Sequence, residues 1–152
     1  MLVYRIEKQK YKDTFPPMGS LLHPARWHNE GTWVVYTAEN IALAKLEDLA
    51  NSTILPKNRY LRTIQLEENA PVYVLKEEYL PDNWNRFPIP AANSTIIKRI
   101  IKEGKYVAAS VPSVQSPRER NYLLFPGHKD FSRYVSSLSV EKIDYDRRLK
   151  PS

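Results

Sequence analysis

Short clusters of apolar and β-branched residues, separated by turn-forming residues, run along the first third of the chain. This pattern predicts strands at residues 2–6 and 33–37, with an irregular loop at residues 12–25 that contains prolines and a glycine. Thr37 is the predicted N-cap of a helix that continues to about Ala50. Its apolar residues fall on one face at about 100° per residue, so we expect that face to be buried.

Two neighbouring acids occupy different positions on this predicted helix. The residues of its apolar face are Ala42, Leu43, Leu46, Leu49 and Ala50. Glu47 lies at the margin of this face, whereas Asp48 points away from it, so we expect Asp48→Asn to be nearly neutral. A partly desolvated carboxylate favours either a functional role or an ion pair with Arg or Lys, and both alternatives are open for Glu47.

The rest of the chain mixes strands with short helices. Strands at residues 60–66 and 71–75 are predicted to form a hairpin through the polar turn at residues 67–69. Ser94 is the predicted cap of a helix that ends before Gly104. Further strands are predicted at residues 105–111, 121–125 and 140–145, and a short helix at residues 129–137. Because strands and helices do not alternate regularly, the order favours the α+β class.

Composition limits the possible classes of protein. The 152 residues predict a single domain over positions 1–152, and the net charge of +6 comes mostly from the part that begins at Lys76. Cysteine is absent, which excludes disulfide scaffolds and thiol nucleophiles and agrees with a reducing cytoplasm. The apolar runs are far shorter than the roughly 18 residues of a membrane span, and the N-terminus has no signal core. We therefore expect a cytoplasmic protein without a membrane partner.

Glycine and histidine spacing exclude two common kinds of site. The four glycines are too far apart for a GxGxxG or GxxxxGK phosphate loop. His23, His28 and His128 form no pair at metal-ligand spacing, so no metal is predicted.

Three residues are candidates for binding chemistry from their positions alone. Arg26 precedes a predicted strand and could bind a phosphate or carboxylate, although a surface arginine beside a packed Trp27 is the commoner case. Tyr36, at the end of that strand, could stack on a planar ring or fill the core. Ser113 follows a predicted strand, where its hydroxyl could bind a ligand or begin a turn.

The basic and aromatic composition raises a second class of function, a noncatalytic nucleic-acid-binding domain. The arginines that would have to share one face are Arg118, Arg120, Arg133, Arg147 and Arg148. Acidic residues alternate with them, however, as Glu119 and Asp146 illustrate. This dispersal is more typical of a solvated surface than of a phosphate-binding stripe.

Five segments together resemble RES-domain proteins, in the order found in that family. They are residues 25–39 (ARWHNEGTWVVYTAE), 42–47 (ALAKLE), 111–113 (VPS), 119–128 (ERNYLLFPGH) and 146–149 (DRRL). The family has an Arg-Trp-Asn segment, a strand ending in Tyr-Thr and a helix bearing Leu-Glu. This chain departs from it at His28, which stands before Asn29, and at Pro24 and Ala25, where the family usually has two glycines.

The resemblance implies a fold like that of the ADP-ribosyltransferase toxins, with short mixed strands and two or three helices around a cleft for NAD. It implies the toxin of a bacterial toxin–antitoxin pair, inhibited by an Xre-type helix-turn-helix antitoxin and oligomeric with it. NAD would be the substrate, with no prosthetic group and no metal. The expected reaction is phosphorolysis or hydrolysis of the nicotinamide–ribose bond, or transfer of ADP-ribose to a target protein.

The same resemblance assigns residues to this reaction. Arg26, Tyr36 and Glu47 take the principal site positions, and Ser113 and Asn121 support them. Cleavage passes through an oxocarbenium-like state, which a carboxylate such as that of Glu47 stabilises. Arg26 would hold the pyrophosphate or a ribose, Tyr36 would pack on nicotinamide or ribose, and Ser113 would hydrogen-bond the same part of NAD.

Overall fold

The computed structural model describes residues 1–152. Its strands are β1 (Leu2–Lys8), β2 (Val35–Ala38), β3 (Arg59–Leu66), β4 (Val72–Val74), β5 (Ala108–Pro112), β6 (Arg120–Leu124) and β7 (Val135–Ile143). Its α-helices are α1 (Ile41–Ala50), α2 (Ala91–Glu103) and the single turn α3 (Phe131–Tyr134). The predicted α+β class is confirmed. None of the helices combines the length and the apolar character that a membrane crossing requires.

All seven strands belong to one sheet, in the order β4-β5-β6-β2-β1-β3-β7. Only β4 and β5 are parallel neighbours, and every other neighbouring pair is antiparallel. The ladder between β1 and β3 runs from Leu2↔Gln65 to Lys8↔Arg59, but β1 and β2 are joined only at Tyr4↔Ala38. The sheet is therefore almost divided between β1 and β2, and this division opens the space for a site.

Buried apolar residues lie on both sides of the sheet. The first cluster contains Trp27, Trp84, Ile97, Ile100, Leu123 and Phe125, and joins α2 to β5 and β6. The second contains Val3, Val35, Ile64, Leu66, Leu124 and Phe131, and packs beside β1 and β3. A small third cluster of Ala38, Leu43 and Ala44 attaches α1 to the sheet. Packing on both sides fixes the strands from which the site residues project.

The apolar face predicted for α1 is buried only in part. Leu43 and Ala44 are buried, whereas Ala42 and Ala50 are exposed and Leu46 is 41% exposed. The helix lies over the division between β1 and β2, so only a narrow line of its surface reaches the sheet. The sequence pattern overestimated the area that α1 covers.

The residues predicted to cap the N-termini of α1 and α2 were both wrong. Thr37 belongs to β2, where its Oγ1 donates to the carbonyl of Tyr122, and Asn40 caps α1 by accepting from the backbone N–H of Leu43 at 2.7 Å. Ser94 lies inside α2, which begins earlier because proline at the N-cap position, Pro90, fixes its entry. The C-terminal prediction is confirmed, since Gly104 ends α2 with a φ of 71°.

Two predicted elements of the sheet were also wrong. The strands β3 and β4 do not form a hairpin, because β3 pairs with β1 and β7 while β4 pairs with β5. The helix predicted at residues 129–137 is reduced to α3, because β7 already begins at Val135 and pairs along the whole of β3. In both cases pairing with a distant strand outweighs the local pattern.

Candidate functional site

A cleft of about 630 Å³ opens where β1 and β2 separate. Its size is that of a small-molecule site, for which about 300–1,000 Å³ is typical. Among the residues that line it are Tyr4, Arg5, Arg26, Tyr36, Glu47 and Asn121. Four of the five residues predicted from the sequence thus lie on this cleft, and the fifth, Ser113, is bonded to one of them.

Glu47 and Ser113 form the polar centre of the cleft. The Ser113 hydroxyl donates to Oε1 of Glu47 at 2.8 Å, and its oxygen accepts the backbone N–H groups of Gln115 at 3.1 Å and Ser116 at 3.3 Å. Because the oxygen accepts two N–H bonds, its hydrogen is directed at the carboxylate. Ser113 follows β5, is fully buried and is held at its own N–H by the carbonyl of Glu119. The Glu47 carboxylate therefore meets a rigid donor.

Burial raises the pKa of Glu47 above its ordinary value. The hydrogen bond from Ser113, the neighbouring Asn121 amide and the positive charge of Arg26 act in the opposite direction without cancelling the effect. Asn121 lies on β6 opposite Ala38 of β2, and its amide nitrogen also donates to the carbonyl of Thr37 at 3.3 Å. A carboxylate with these surroundings is poised to stabilise a positive charge inside the cleft.

Asp48, next in the sequence, also lines the cleft, but its carboxylate is bonded to other parts of the chain. The prediction that it points away from the packed side of the helix was wrong: its carboxylate accepts from the Arg59 guanidinium at 3.1 Å and from the Tyr145 hydroxyl at 2.9 Å. Both charged side chains are mostly buried, at 16% exposure for Asp48 and 14% for Arg59. Asp48 therefore ties α1 to β3 and to the C-terminal segment.

Tyr36 is held by its hydroxyl, so its ring is the part that the cleft can use. His28 Nε2 lies 3.0 Å from the carbonyl of Ser20 and 2.8 Å from that of His23, and only an N–H can satisfy these acceptors. Nδ1 of the neutral ring is then an acceptor, and the Tyr36 hydroxyl donates to it at 2.6 Å while accepting the backbone N–H of Trp27 at 3.2 Å. Burial raises the pKa of Tyr36, which keeps its hydroxyl protonated.

Arg26 is fixed to the opposite wall. Its Nη1 donates to the carbonyls of Trp84 at 2.9 Å and Arg86 at 3.0 Å, and its guanidinium lies 4.8 Å from the centre of the Phe87 ring. Burial lowers the pKa of Arg26, and the negative charge of Glu47 opposes this effect. Nε and Nη2 form no bond within the chain, so they can serve an anion in the cleft.

Arg5 and His28 are site residues that sequence reasoning missed. Arg5 lines the cleft from β1, where its Nη1 donates to the carbonyl of Tyr36 at 3.1 Å across the division of the sheet. Behind it the buried Glu7 accepts from Arg5 at 3.4 Å and from the buried Arg62. Arg5 and Glu7 are charged residues at alternate positions of one strand, so they share a face of the sheet. This pattern in the sequence could have identified Arg5 as a candidate.

The remaining candidates do not gather into another site. No group of three or more His, Cys, Asp or Glu side chains lies close enough to hold a metal ion. Arg120, one of the arginines of the nucleic-acid alternative, turns inward and donates to the carbonyls of Leu75 and Ser110. Arg148 is paired with Asp146 at 2.9 Å. These contacts count against a shared phosphate-binding face.

The fold of this chain is similar to that of a protein of known structure. The chain superposes on a chain of the crystal structure of the M. tuberculosis MbcT–MbcA toxin–antitoxin complex with a TM-score of 0.66, over 97% of this chain and 85% of that one. Their sequences are only 11% identical, so this likeness concerns the fold.

The amino-acid sequence is similar to those of known toxins over nearly the whole chain. The chain is 30% identical to "Toxin Res" of Yersinia enterocolitica over 99% of this chain and 100% of that protein, and 35% identical to "Toxin Res" of Photorhabdus laumondii over 98% and 97%. It is 31% identical to "Prs ADP-ribosylating toxin" of a Sphingobium species over 90% and 87%. The RES domain model matches residues 2–148, which confirms the resemblance drawn from the five segments. The chain belongs to the RES domain family.

Proposed function

We propose that this protein is the toxin of a bacterial toxin–antitoxin pair and that it consumes NAD by breaking the nicotinamide–ribose bond. The observation that carries the proposal is the Glu47 carboxylate, which is held by Ser113 and faces a cleft with Arg5 and Arg26. The Asp48 carboxylate of the same cleft is paired with Arg59, so Glu47 is the carboxylate available to a ligand. Such a carboxylate among cationic and aromatic groups suits a substrate that has a cationic ring at one end and a pyrophosphate in the middle.

The chemistry requires no metal and no prosthetic group. The bond between C1′ of the ribose and the ring nitrogen of nicotinamide breaks, and its electron pair leaves with nicotinamide, which becomes neutral and needs no proton. Positive charge develops on the ribose, and the Glu47 carboxylate stabilises it. A phosphate oxygen then bonds to C1′ to give ADP-ribose 1-phosphate, or water bonds there and loses a proton to give ADP-ribose.

The other residues bind and orient the substrate. The Tyr36 ring packs on nicotinamide or the adjoining ribose, since its hydroxyl is occupied by His28. Ser113 and Asn121 direct the carboxylate through the contacts described above. Arg26 offers Nε and Nη2 to the pyrophosphate, and Arg5 offers positive charge from the facing strand.

Transfer of ADP-ribose to a protein is the second candidate. It is favoured by the similarity to "Prs ADP-ribosylating toxin", which covers 90% of this chain. The bond that breaks and the role of Glu47 are the same, and only the acceptor at C1′ changes from phosphate or water to a protein side chain. A stable label on a target protein after incubation with NAD labelled in its adenylate half would identify this reaction.

The proposed partner is an Xre-type helix-turn-helix antitoxin that closes the cleft, and the inhibited toxin forms an oligomeric complex with it. The similar fold of a chain in a toxin–antitoxin complex supports a partner of this kind. Co-expression with a helix-turn-helix protein encoded beside the gene should yield a complex without NAD turnover. Turnover that continues in the complex would contradict inhibition at the cleft.

The direct test of the reaction is nicotinamide release from NAD by the purified chain, with and without inorganic phosphate. Phosphate-dependent release together with ADP-ribose 1-phosphate identifies phosphorolysis, and phosphate-independent release identifies hydrolysis. If folded toxin that is free of antitoxin releases no nicotinamide and labels no protein, the proposed function is wrong.

A further inference from the structure

Phe87 is an aromatic side chain that stands at the mouth of the cleft with 80% of its surface exposed. Ile89 lines the same wall. Single exposed apolar residues are common on protein surfaces, but this ring belongs to the lining of a cleft that also contains arginine and a carboxylate. The Phe87 ring is therefore placed to contact a ligand group that enters the cleft.

The backbone that carries Phe87 is anchored firmly on its N-terminal side. Trp84 is buried, and its ring stacks on Trp27 with centroids 5.7 Å apart. Asn93 at the start of α2 is also buried, and its amide nitrogen donates to the carbonyl of Trp84 at 2.9 Å. Phe87 is thus an exposed ring on a fixed support, so little ordering cost accompanies stacking on it.

One face of the Phe87 ring is already in use. The Arg26 guanidinium lies 4.8 Å from its centroid, and the same guanidinium holds the carbonyls of Trp84 and Arg86 on either side of the turn. A cation on one face of a ring leaves the other face free for a planar group. The Phe87 ring thus lies between its free face and the unused nitrogens of Arg26. A nucleotide that passes around the edge of the ring can place its base on the free face and its phosphate at Arg26.

The depth of the cleft indicates which end of the dinucleotide reaches Phe87. Ser113, which directs the Glu47 carboxylate, is fully buried, whereas Phe87 is 80% exposed. If the bond that breaks lies at Glu47, the opposite end of NAD lies toward the mouth. This step rests on the proposed function, because it places the nicotinamide ribose at Glu47.

We propose that Phe87 forms an adenine subsite, in which the adenine ring of NAD stacks on the free face of Phe87 while Arg26, on its other face, holds the adjoining pyrophosphate. The subsite makes the enzyme selective for a dinucleotide. A substrate without the adenylate half reaches Glu47 but gains nothing from Phe87. Binding energy gathered at this remote ring serves to place the reacting ribose.

Calorimetric binding of two stable ligands tests this subsite without relying on turnover. ADP-ribose carries the adenine, the pyrophosphate and the reacting ribose, whereas ribose 5-phosphate keeps the reacting ribose and one phosphate but lacks the adenylate. For Phe87→Ala we expect ADP-ribose to bind about tenfold more weakly, in the range produced by loss of one base–aromatic stack, with ribose 5-phosphate unchanged. Phe87→Trp keeps a stacking surface and should keep the affinity for ADP-ribose.

Tyr79→Ala is the matched control, because Tyr79 is 68% exposed but lies outside the cleft. It should leave both affinities unchanged, and the Phe87 variants should melt at the temperature of the wild type, since the ring is exposed. An equal loss for both ligands would assign Phe87 to holding Arg26 and overturn the adenine subsite. If Phe87→Ala binds ADP-ribose as tightly as the wild type does, the adenine subsite is overturned as well. That result is expected if Phe87 contacts a partner protein and not the nucleotide.

Failure of the subsite and failure of the proposed reaction give different results. If the wild type cleaves NAD but Phe87→Ala binds ADP-ribose normally, the reaction stands and the subsite falls. If ADP-ribose binding depends on Phe87 but NAD is not cleaved, the subsite stands and the reaction falls. Absence of ADP-ribose binding to the folded wild type would overturn the subsite directly.

Discussion

Ser113 donates its hydroxyl hydrogen to Oε1 of Glu47 across 2.8 Å, although the two residues are 66 positions apart in the sequence. The end of β5 and the middle of α1 meet at this bond. Two backbone N–H groups hold the Ser113 oxygen, so the bond direction is fixed before any ligand enters. In the proposed reaction, a preorganised donor of this kind keeps the carboxylate directed at the ribose carbon on which positive charge develops.

Ser113→Ala should weaken catalysis and shift its pH dependence. The hydrogen bond from Ser113 lowers the pKa of Glu47, so its loss raises that pKa further. Because the charged carboxylate is the active form in the proposed reaction, the acid limb of the pH–rate profile should move to higher pH. Loss of one charge-assisted hydrogen bond of about 1.5 kcal/mol corresponds to about a tenfold lower kcat on the acid limb of the profile, with a smaller effect on its plateau.

The control for this substitution is Ser116→Ala in the same turn, where the serine side chain makes no contact with Glu47. Its profile should coincide with that of the wild type. A Ser113→Ala profile that falls uniformly at every pH would show that Ser113 does not act through the ionisation of Glu47.

Two substitutions of His28 separate its two hydrogen-bonding roles. Asn places a side-chain oxygen near the position of Nδ1 and can still accept from the Tyr36 hydroxyl, whereas Gln reaches the position of Nε2 and can still donate to the carbonyl of His23. If the orientation of Tyr36 matters for the reaction, His28→Asn should retain most of kcat/KM. His28→Gln should lose about tenfold, as for one lost hydrogen bond.

Melting temperatures measured beside the kinetics distinguish orientation from stability for these variants. His28→Asn gives up the bonds to the loop carbonyls of Ser20 and His23 and should be the less stable of the two. The opposite kinetic order, with Gln the more active variant, would mean that His28 serves the loop and not Tyr36.

Asp48→Asn should lower stability, contrary to the sequence-based expectation of a nearly neutral change, and should affect the reaction far less than Glu47→Gln, because the Asp48 carboxylate at the cleft wall is engaged by Arg59 and Tyr145. The substitution removes the charge that pairs with the mostly buried Arg59, which should cost about 1–2 kcal/mol in the free energy of unfolding. Urea denaturation measures this loss. Asp146→Asn is the matched control, because its arginine partner Arg148 is 89% exposed and the pair should contribute nothing measurable.

Glu47→Gln should be at least as stable as the wild type at pH 7. Burial raises the pKa of Glu47, so the folded state binds this proton more tightly than the unfolded state does. Wild-type stability therefore decreases as the pH rises from the ordinary value of 4.5 through the raised pKa, and Gln avoids this cost. Below pH 4.5, the free energies of unfolding of the wild type and of Glu47→Gln should converge. A variant that is clearly less stable at pH 7 would contradict the desolvation of Glu47.

The elements that could be predicted from the sequence are those with local signals. Strands β1, β3 and β6 and the end of α2 at Gly104 follow from apolar clustering and from the conformational freedom of glycine. The hairpin after residue 66 and the late start of β7 were wrong, because the partners of these strands are distant in the sequence. Neither composition nor periodicity contains that information.

The site shows the same limit. Glu47 stood out because of its place on a helix, while Arg26 and Tyr36 became principal candidates, and Ser113 and Asn121 supporting ones, through the family resemblance. Their shared location depends on the division between β1 and β2, which no local pattern indicates. Arg5 and His28 were missed for this reason, since each acts on Tyr36 from another segment.

The central claim, that Glu47 stabilises cleavage of the nicotinamide–ribose bond, is tested most directly by nicotinamide release from NAD in the wild type and in Glu47→Gln. Glu68→Gln, whose side chain is 87% exposed in the wild type, serves as control. We expect the wild type and Glu68→Gln to release nicotinamide at the same rate and Glu47→Gln to be at least about 100-fold slower, as for loss of a preorganised electrostatic group. Wild-type rates in folded Glu47→Gln would contradict the claim.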